Sequence, residues 1–201
     1  MNVKIKICGL TRPEDVDYVN EARPDFCGFV INVPKSIRNN SPQNVKMLLK
    51  GLSPDIIPVA VFRNEEACKV ADICLELGLK YIQLHGKEDE DYIGYLRGRG
   101  DFTIIKAFNE KNMDQAMDSS ADMILLDNGD GGTGECFSWE KSRQIGRPFF
   151  LAGGLGRDNL EEAILTVKPW AVDLSSKLET QGRKDREKIL ETVQIVRQCR
   201  I

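Results

Sequence analysis

Lys4-Ile5-Lys6-Ile7-Cys8-Gly9-Leu10-Thr11 sets a pattern that the rest of the chain repeats. Successive side chains of a strand point to opposite faces. Lys4, Lys6 and Cys8 therefore share one face, and Val3, Ile5 and Ile7 share the other. The polar face ends on the cysteine. Gly9 permits a sharp backbone turn, and Thr11-Arg12-Pro13-Glu14 supplies an N-cap candidate with proline in the first helical turn. The stretch reads as one βα unit with a reactive side chain at its tip.

Working outward, strand-length apolar runs cover Asp25 to Ile31, Ile56 to Phe62, Tyr81 to Gly86, Phe102 to Phe108, Met123 to Asp127, Phe149 to Ala152 and Ala171 to Ser176. Amphipathic stretches separate them: Glu14 to Ala22, Gln43 to Lys50, Glu65 to Leu77 stopped by Gly78, Glu88 to Arg97, Lys111 to Asp118, a helix around Trp139 to Ile145, and Asp185 to Arg197. This rhythm implies a parallel sheet covered by helices. Eight rounds in 201 residues predict an α/β chain folded as a small, single-domain (β/α)8 TIM barrel over residues 1–201. An open, doubly wound sheet is the alternative, but no break in strand order is visible.

A hydrophobic content of 41% supports a substantial core. The net charge of −3, from 28 basic and 31 acidic residues well mixed along the chain, argues against nucleic-acid or membrane-surface partners. No apolar run reaches the ~18 to 20 residues of a membrane span, and no signal-peptide core opens the sequence, so a cytoplasmic location is expected. Cys8, Cys27, Cys68, Cys74, Cys136 and Cys199 form no C-x-x-C pair and read as reduced thiols, most of them packing residues. The sole histidine, His85, cannot build a multi-histidine metal site, so metal catalysis is disfavoured.

In a barrel, functional residues lie at the carboxyl ends of strands and in the loops that follow. Cys8 ends strand 1, Arg38 lies in the loop after strand 2, His85 ends strand 4, Asp127 ends strand 6, and Asp173 with Ser175 ends strand 8. Each alone has a structural explanation, such as core packing or capping of a turn. Six at one rim point to a site, with His85 and Asp173 expected against the substrate. Leu151-Ala152-Gly153-Gly154-Leu155 and Asp173-Leu174-Ser175-Ser176 end strands 7 and 8, the loop pair where barrels often hold phosphate on backbone N–H groups. Gly153, Gly154, Ser175 and Ser176 are the phosphate candidates; two tight βα turns are the other explanation. Gly131-Gly132-Thr133-Gly134 suggests a flap over the site, and lacks the ending of a P-loop.

These motifs, with Gln83-Leu84-His85-Gly86 and Leu126-Asp127, resemble the phosphoribosylanthranilate isomerase family of tryptophan biosynthesis from residue 4 to about residue 188. The resemblance implies a cofactor-free barrel that performs the Amadori rearrangement of N-(5-phosphoribosyl)anthranilate. It places the general base on Cys8, the general acid on Asp127 and the partner of the anthranilate carboxylate on Arg38. The chemistry asks opposite things of acid and base: the carboxyl must keep a proton it ordinarily gives up, and the thiol must lose one it ordinarily keeps. Lys6, one pleat below Cys8, is a cation that would favour the thiolate; a lysine satisfied by a carboxylate such as Asp173 is the alternative. A small-molecule substrate and a monomer are expected, with a homodimer as alternative.

The chain departs from the family pattern at Ile37, where proline is usual, at Ser138, where an acid is usual, and at Lys177, where glycine is usual. A short helix at Lys177, with Glu179 in its first turn, is expected over a strained left-handed backbone. The rival functions are another phosphosugar isomerase, a Schiff-base aldolase using Lys106, and a non-catalytic barrel that binds a phosphorylated metabolite.

Overall fold

The computed structural model describes residues 2–127 and 145–199. Its strands are β1 (Lys4–Cys8), β2 (Phe26–Ile31), β3 (Ile57–Phe62), β4 (Tyr81–Leu84), β5 (Thr103–Phe108), β6 (Met123–Asp127), β7 (Phe149–Ala152) and β8 (Ala171–Leu174). Each pairs in parallel with its sequence neighbour. Strand β1 also pairs with β8, so that Lys6 stands opposite Phe26 on one side and Asp173 on the other. That second pairing closes the sheet, which is the (β/α)8 barrel and not the open alternative. A two-residue strand, Asn39–Asn40, pairs in parallel beside the end of β2.

The period-2 alternation of the strands separates two apolar regions. Ile5, Ile7, Cys27 and Phe29 point outward and are fully buried against the helices. Phe26, Val59, Ile105, Leu125 and Phe150 point into the lumen. Phe26 packs on Tyr81, Phe150 and Trp170 with ring centroids 5.5 to 5.9 Å apart. All four rings sit at amino-terminal strand ends, so aromatic packing plugs that end of the barrel. The polar lumen residues are left at the carboxyl end.

The helices are α1 (Pro13–Ala22), α2 (Pro42–Leu49), α3 (Ala67–Leu77), α4 (Glu90–Arg99), α5 (Leu160–Val167) and α6 (Arg186–Gln198). Local chemistry sets their starts. Asp15 accepts hydrogen bonds from the backbone N–H groups of Thr11 (2.8 Å) and Arg12 (3.1 Å), so the N-cap falls on Arg12. Ser41, Asp89 and Asp185 cap α2, α4 and α6 with their side chains. Gly78 ends α3 at φ 68°, as its sequence position predicts.

Two expected elements differ. The helix expected over Lys111 to Asp118 is a single 3-10 turn, Met113–Ala116. Asn112 Oδ1 accepts from Asn109 N and Asn109 Oδ1 accepts from Lys111 N, which commits this backbone to turns before a helix can start. After β8, the short helix expected at Lys177 is likewise one 3-10 turn, Ser176–Leu178, and Lys177 has no left-handed backbone. An unexpected hairpin follows, Glu179–Thr180 against Arg183–Lys184. Its two-residue loop, Gln181 (φ 51°) and Gly182 (φ 74°), has the positive φ pair of a tight hairpin turn. The glycine-rich flap at 131–134, the helix around Trp139, Cys136 and Ser138 lie outside the described residues. Among the described residues, no helix is long and apolar enough to cross a membrane.

Candidate active site

Strand β1 delivers two polar side chains into the lumen, as its alternation requires. Lys6 is fully buried, and its Nζ lies 3.0 Å from both carboxylate oxygens of Asp173, its partner across the β1–β8 ladder. Burial opposes the ammonium, but Asp173 and then Cys8 outweigh it and hold the Lys6 pKa above its ordinary range. Gly28, on β2, makes room for this pair of neighbours: a Cβ there would stand 2.7 Å from Cys8 Sγ and 3.0 Å from Lys6 Nζ.

Of the two roles open to Lys6, the ion pair with Asp173 is the one formed, and the Cys8 thiol is not lowered. Burial pushes its pKa up, and the adjacent Lys6 offsets this only in part because its charge is shared with Asp173. A raised pKa disfavours the thiolate, so its fraction is small at neutral pH and climbs as pH rises. Peptide-resolved alkylation by iodoacetamide should therefore show the Cys8 rate still rising through about pH 8.5, the ordinary thiol value. A rate already flat at pH 7 would contradict this. Cys27 and Cys74 are buried packing residues, the latter pushed up to about 12 by burial.

Across the lumen, Asp127 ends β6 and His85 stands one residue past β4. His85 Nε2 is 2.9 Å from Asp127 Oδ2, and His85 Nδ1 is 2.8 Å from Gln83 Nε2. An amide nitrogen only donates, so Nδ1 accepts and the ring directs its Nε2 proton at Asp127. Gln83 Oε1 is buried and has no hydrogen-bond partner among the described residues. A buried acceptor left unpaired costs roughly 1 to 3 kcal/mol, a cost more often retained at functional sites than in ordinary cores.

The loop after β2 brings Arg38 over the tip of β1. Buried Asn40 holds this loop by donating to the carbonyls of Leu10 (3.0 Å) and Arg38 (3.3 Å). Gly9, at φ 86°, lets the chain turn beneath it, and a Cβ at Gly9 would run into the Arg38 side chain. Gly153 and Gly154 both take positive φ, 92° and 63°, which L side chains rarely adopt. Ser175 follows β8 and donates its hydroxyl to the Cys8 carbonyl at 2.9 Å.

One cavity of about 320 Å³ gathers these groups. Cys8, Asp127, Arg38, His85 and Asp173 border it, as do Gly153, Gly154, Ser175 and Ser176. Every site residue expected from the sequence is thus at one barrel mouth. Lys106 is not: its Nζ bonds the Gly86 carbonyl (2.8 Å) and Glu88 (2.9 Å), in a neighbouring hollow. A buried, ion-paired ammonium away from the cavity does not suit a Schiff-base nucleophile, which removes the aldolase reading. Lys177 also faces away, into a hollow it shares with Arg157 and Lys188.

Sequence reasoning missed three residues. Gln83 was detectable, because it shares the lumen face of its strand with His85 two residues later. Glu179 and Lys184 are cross-strand partners in the hairpin. Their signal is Glu179-Thr180-Gln181-Gly182-Arg183-Lys184, opposite charges bracketing a glycine-containing turn. Glu179 therefore does not sit in a first helical turn, and its carboxylate meets Arg38 and Lys184.

The family described as N-(5'phosphoribosyl)anthranilate (PRA) isomerase matches residues 5–195. The N-(5'-phosphoribosyl)anthranilate isomerase of Endomicrobium trichonymphae is 43% identical over 199 residues, covering 96% of this chain and 98% of that protein. The crystal structure of phosphoribosyl anthranilate isomerase from Thermotoga maritima superposes with a TM-score of 0.86 at 35% identity, covering 96% of this chain and 98% of that one. A phosphoribosyl anthranilate isomerase in complex with reduced 1-(o-carboxyphenylamino)-1-deoxyribulose 5-phosphate gives 0.84 at 34% identity, with the same coverage. With a closed barrel and one polar mouth already in place, these full-length similarities settle the lineage: the chain belongs to the N-(5'-phosphoribosyl)anthranilate isomerase family.

Proposed function

We propose that the isomerisation of N-(5'-phosphoribosyl)anthranilate in tryptophan biosynthesis takes place in this cavity, with Cys8 as general base and Asp127 as general acid. The supporting observation is convergence: a thiol, a carboxyl group, a guanidinium and two glycine- or serine-bearing loops border one space. Asp127 protonates the ribose ring oxygen as the C1–O bond breaks, and the nitrogen lone pair forms the C1=N iminium. Cys8, as thiolate, takes the proton from C2, and those electrons form the C1=C2 bond of an enolamine. Loss of the C2 hydroxyl proton and protonation of C1 give the aminoketone. C2 is oxidised and C1 reduced within one molecule, so the reaction needs no external oxidant or reductant.

His85 and Asp173 border the substrate space with partners already in place. His85 holds the Asp127 carboxylate from Nε2, and Asp173 holds Lys6 beneath the thiol. Backbone groups at Gly153, Gly154, Ser175 and Ser176 take the phosphate. A homologous complex with a reduced phosphorylated product analogue supports a ligand of this kind. Of the exposed large apolar side chains among the described residues, Met47, Leu75, Tyr95 and Leu165 lie on four separate helices and Ile37 and Met117 lie outside helices, which supports a monomer. One Thermotoga maritima relative is described as dimeric, and light scattering distinguishes the two states. Free thiols throughout the described residues fit a reducing cytoplasm.

Loss of fluorescence from freshly made phosphoribosylanthranilate on adding the purified protein is the direct assay; no acceleration over the spontaneous decay would refute the assignment. Arg38 carries the carboxylate specificity. A lysine ammonium cannot reproduce a planar fork, so Arg38→Lys should raise KM for the natural substrate by about tenfold. An analogue lacking the carboxylate should show wild type and variant alike. An equal loss with both compounds would remove Arg38 from the carboxylate.

A further inference from the structure

The Arg38 guanidinium is already gripped along one edge. Its Nε donates to Glu179 Oε1 at 2.6 Å and its Nη2 to Glu179 Oε2 at 2.7 Å. The Glu179 side chain is 7% exposed, and its Oε1 also accepts from Lys184 Nζ at 2.7 Å. Lys184, 1% exposed, donates in turn to the Ser175 carbonyl at 3.0 Å. Ser175 Oγ reaches the Cys8 carbonyl at 2.9 Å. Contacts therefore run from the guanidinium, through a buried carboxylate and a buried ammonium, to the strand tip that carries the thiol.

A guanidinium has five N–H donors in a rigid plane. Nε and one Nη2 hydrogen face Glu179. Both Nη1 hydrogens and the second Nη2 hydrogen remain; one from each nitrogen lies on the end edge of the fork, and Arg38 borders the cavity. Two cations and one anion leave a single positive charge, the complement of one carboxylate. Burial works against the Glu179 charge, yet Arg38 and Lys184 hold its pKa below the usual carboxylate range.

We propose that Glu179 is the positioning residue that fixes Arg38 as receptor for the aryl carboxylate of the substrate, presenting the Nη1/Nη2 edge to it, with Lys184 anchoring Glu179 from the opposite strand of the hairpin. This rests on the carboxylate role of Arg38 given above. The substrate carboxylate then binds beside Glu179 and does not displace it. Glu179→Gln loses the two-point grip on the fork. The amide oxygen still accepts one hydrogen bond, but the amide nitrogen only donates, so the fork keeps at most one of its two contacts.

The test is calorimetric binding of reduced 1-(o-carboxyphenylamino)-1-deoxyribulose 5-phosphate and of its counterpart without the carboxylate. The quantity read is the ratio of the two Kd values in wild type, Arg38→Ala, Glu179→Gln and Glu179→Asp. Arg38→Ala should bring the ratio close to one. If it does not, the Arg38 role fails and the proposal falls with it. Given that result, Glu179→Gln should shrink the ratio by on the order of tenfold, the scale of one charge-assisted pair, while Kd for the ligand without the carboxylate stays within about twofold. Glu179→Asp, which keeps the anion, should recover part of the ratio. Equal weakening of both ligands would reduce Glu179 to a scaffold of the hairpin, and a larger ratio would make it a competitor for Arg38; either overturns the proposal. If the Gln variant does not fold, the Asp variant decides, since its shorter reach must lower the ratio and leave the other Kd unchanged.

Discussion

Cys8→Ala should lower turnover by ~10² to 10⁴, the range for losing one acid or base from a proton transfer. The effect belongs to kcat, because the thiol acts on the C2 proton only as the reaction proceeds, and groups engaged only in the transition state leave KM almost untouched. Stability should hardly change. Lys6 keeps both hydrogen bonds to Asp173 when the sulfur is gone, so no buried charge is left unpaired. The strand tip remains fixed by the Ser175 hydroxyl on the Cys8 carbonyl, a backbone contact that alanine retains. Steady-state fluorescence decay measures the rate, and urea unfolding checks the fold. Turnover within a few-fold of wild type would remove Cys8 from the reaction.

Asp127→Asn should be as damaging, for a different reason. The Asn carbonyl can still accept the His85 Nε2 proton that Asp127 accepts at 2.9 Å, so the relay from Gln83 through His85 keeps its geometry. An amide cannot deliver a proton to the ribose ring oxygen. The ring then opens without acid assistance, and kcat should fall by ~10² or more. A substitution that also disturbed His85, such as Asp127→Ala, would confound the loss of the acid with the loss of the relay. A near-normal rate in Asp127→Asn would assign the acid to another group.

Much of this site was legible in the sequence because β-strand alternation is a strict period. Once Lys4 to Cys8 was a strand, Lys6 and Cys8 had to share the lumen with Asp173. The residues that were not legible depend on tertiary partners. The sequence left Lys6 two roles, support of a thiolate or pairing with a carboxylate such as Asp173, and only the closed ladder between β1 and β8 decides for the second, which leaves the thiol raised by burial. The turn residues Asn109 and Asn112 overrode a helical pattern through side-chain hydrogen bonds that periodicity does not register. Glu179 and Lys184 meet only because a hairpin forms after β8, in a segment whose composition also suited a helix start.

The assignment of separate acid and base steps is tested most directly by single-turnover decay of phosphoribosylanthranilate carrying deuterium at C2. In Cys8→Ser a far weaker base must remove that hydron, so its transfer becomes limiting and a clear primary isotope effect is predicted. In Asp127→Asn ring opening becomes limiting, and the labelled and unlabelled substrates should decay at the same rate. A slow Cys8→Ser enzyme with no isotope effect, or an Asp127→Asn enzyme with a large one, would contradict the roles given to the two strand tips.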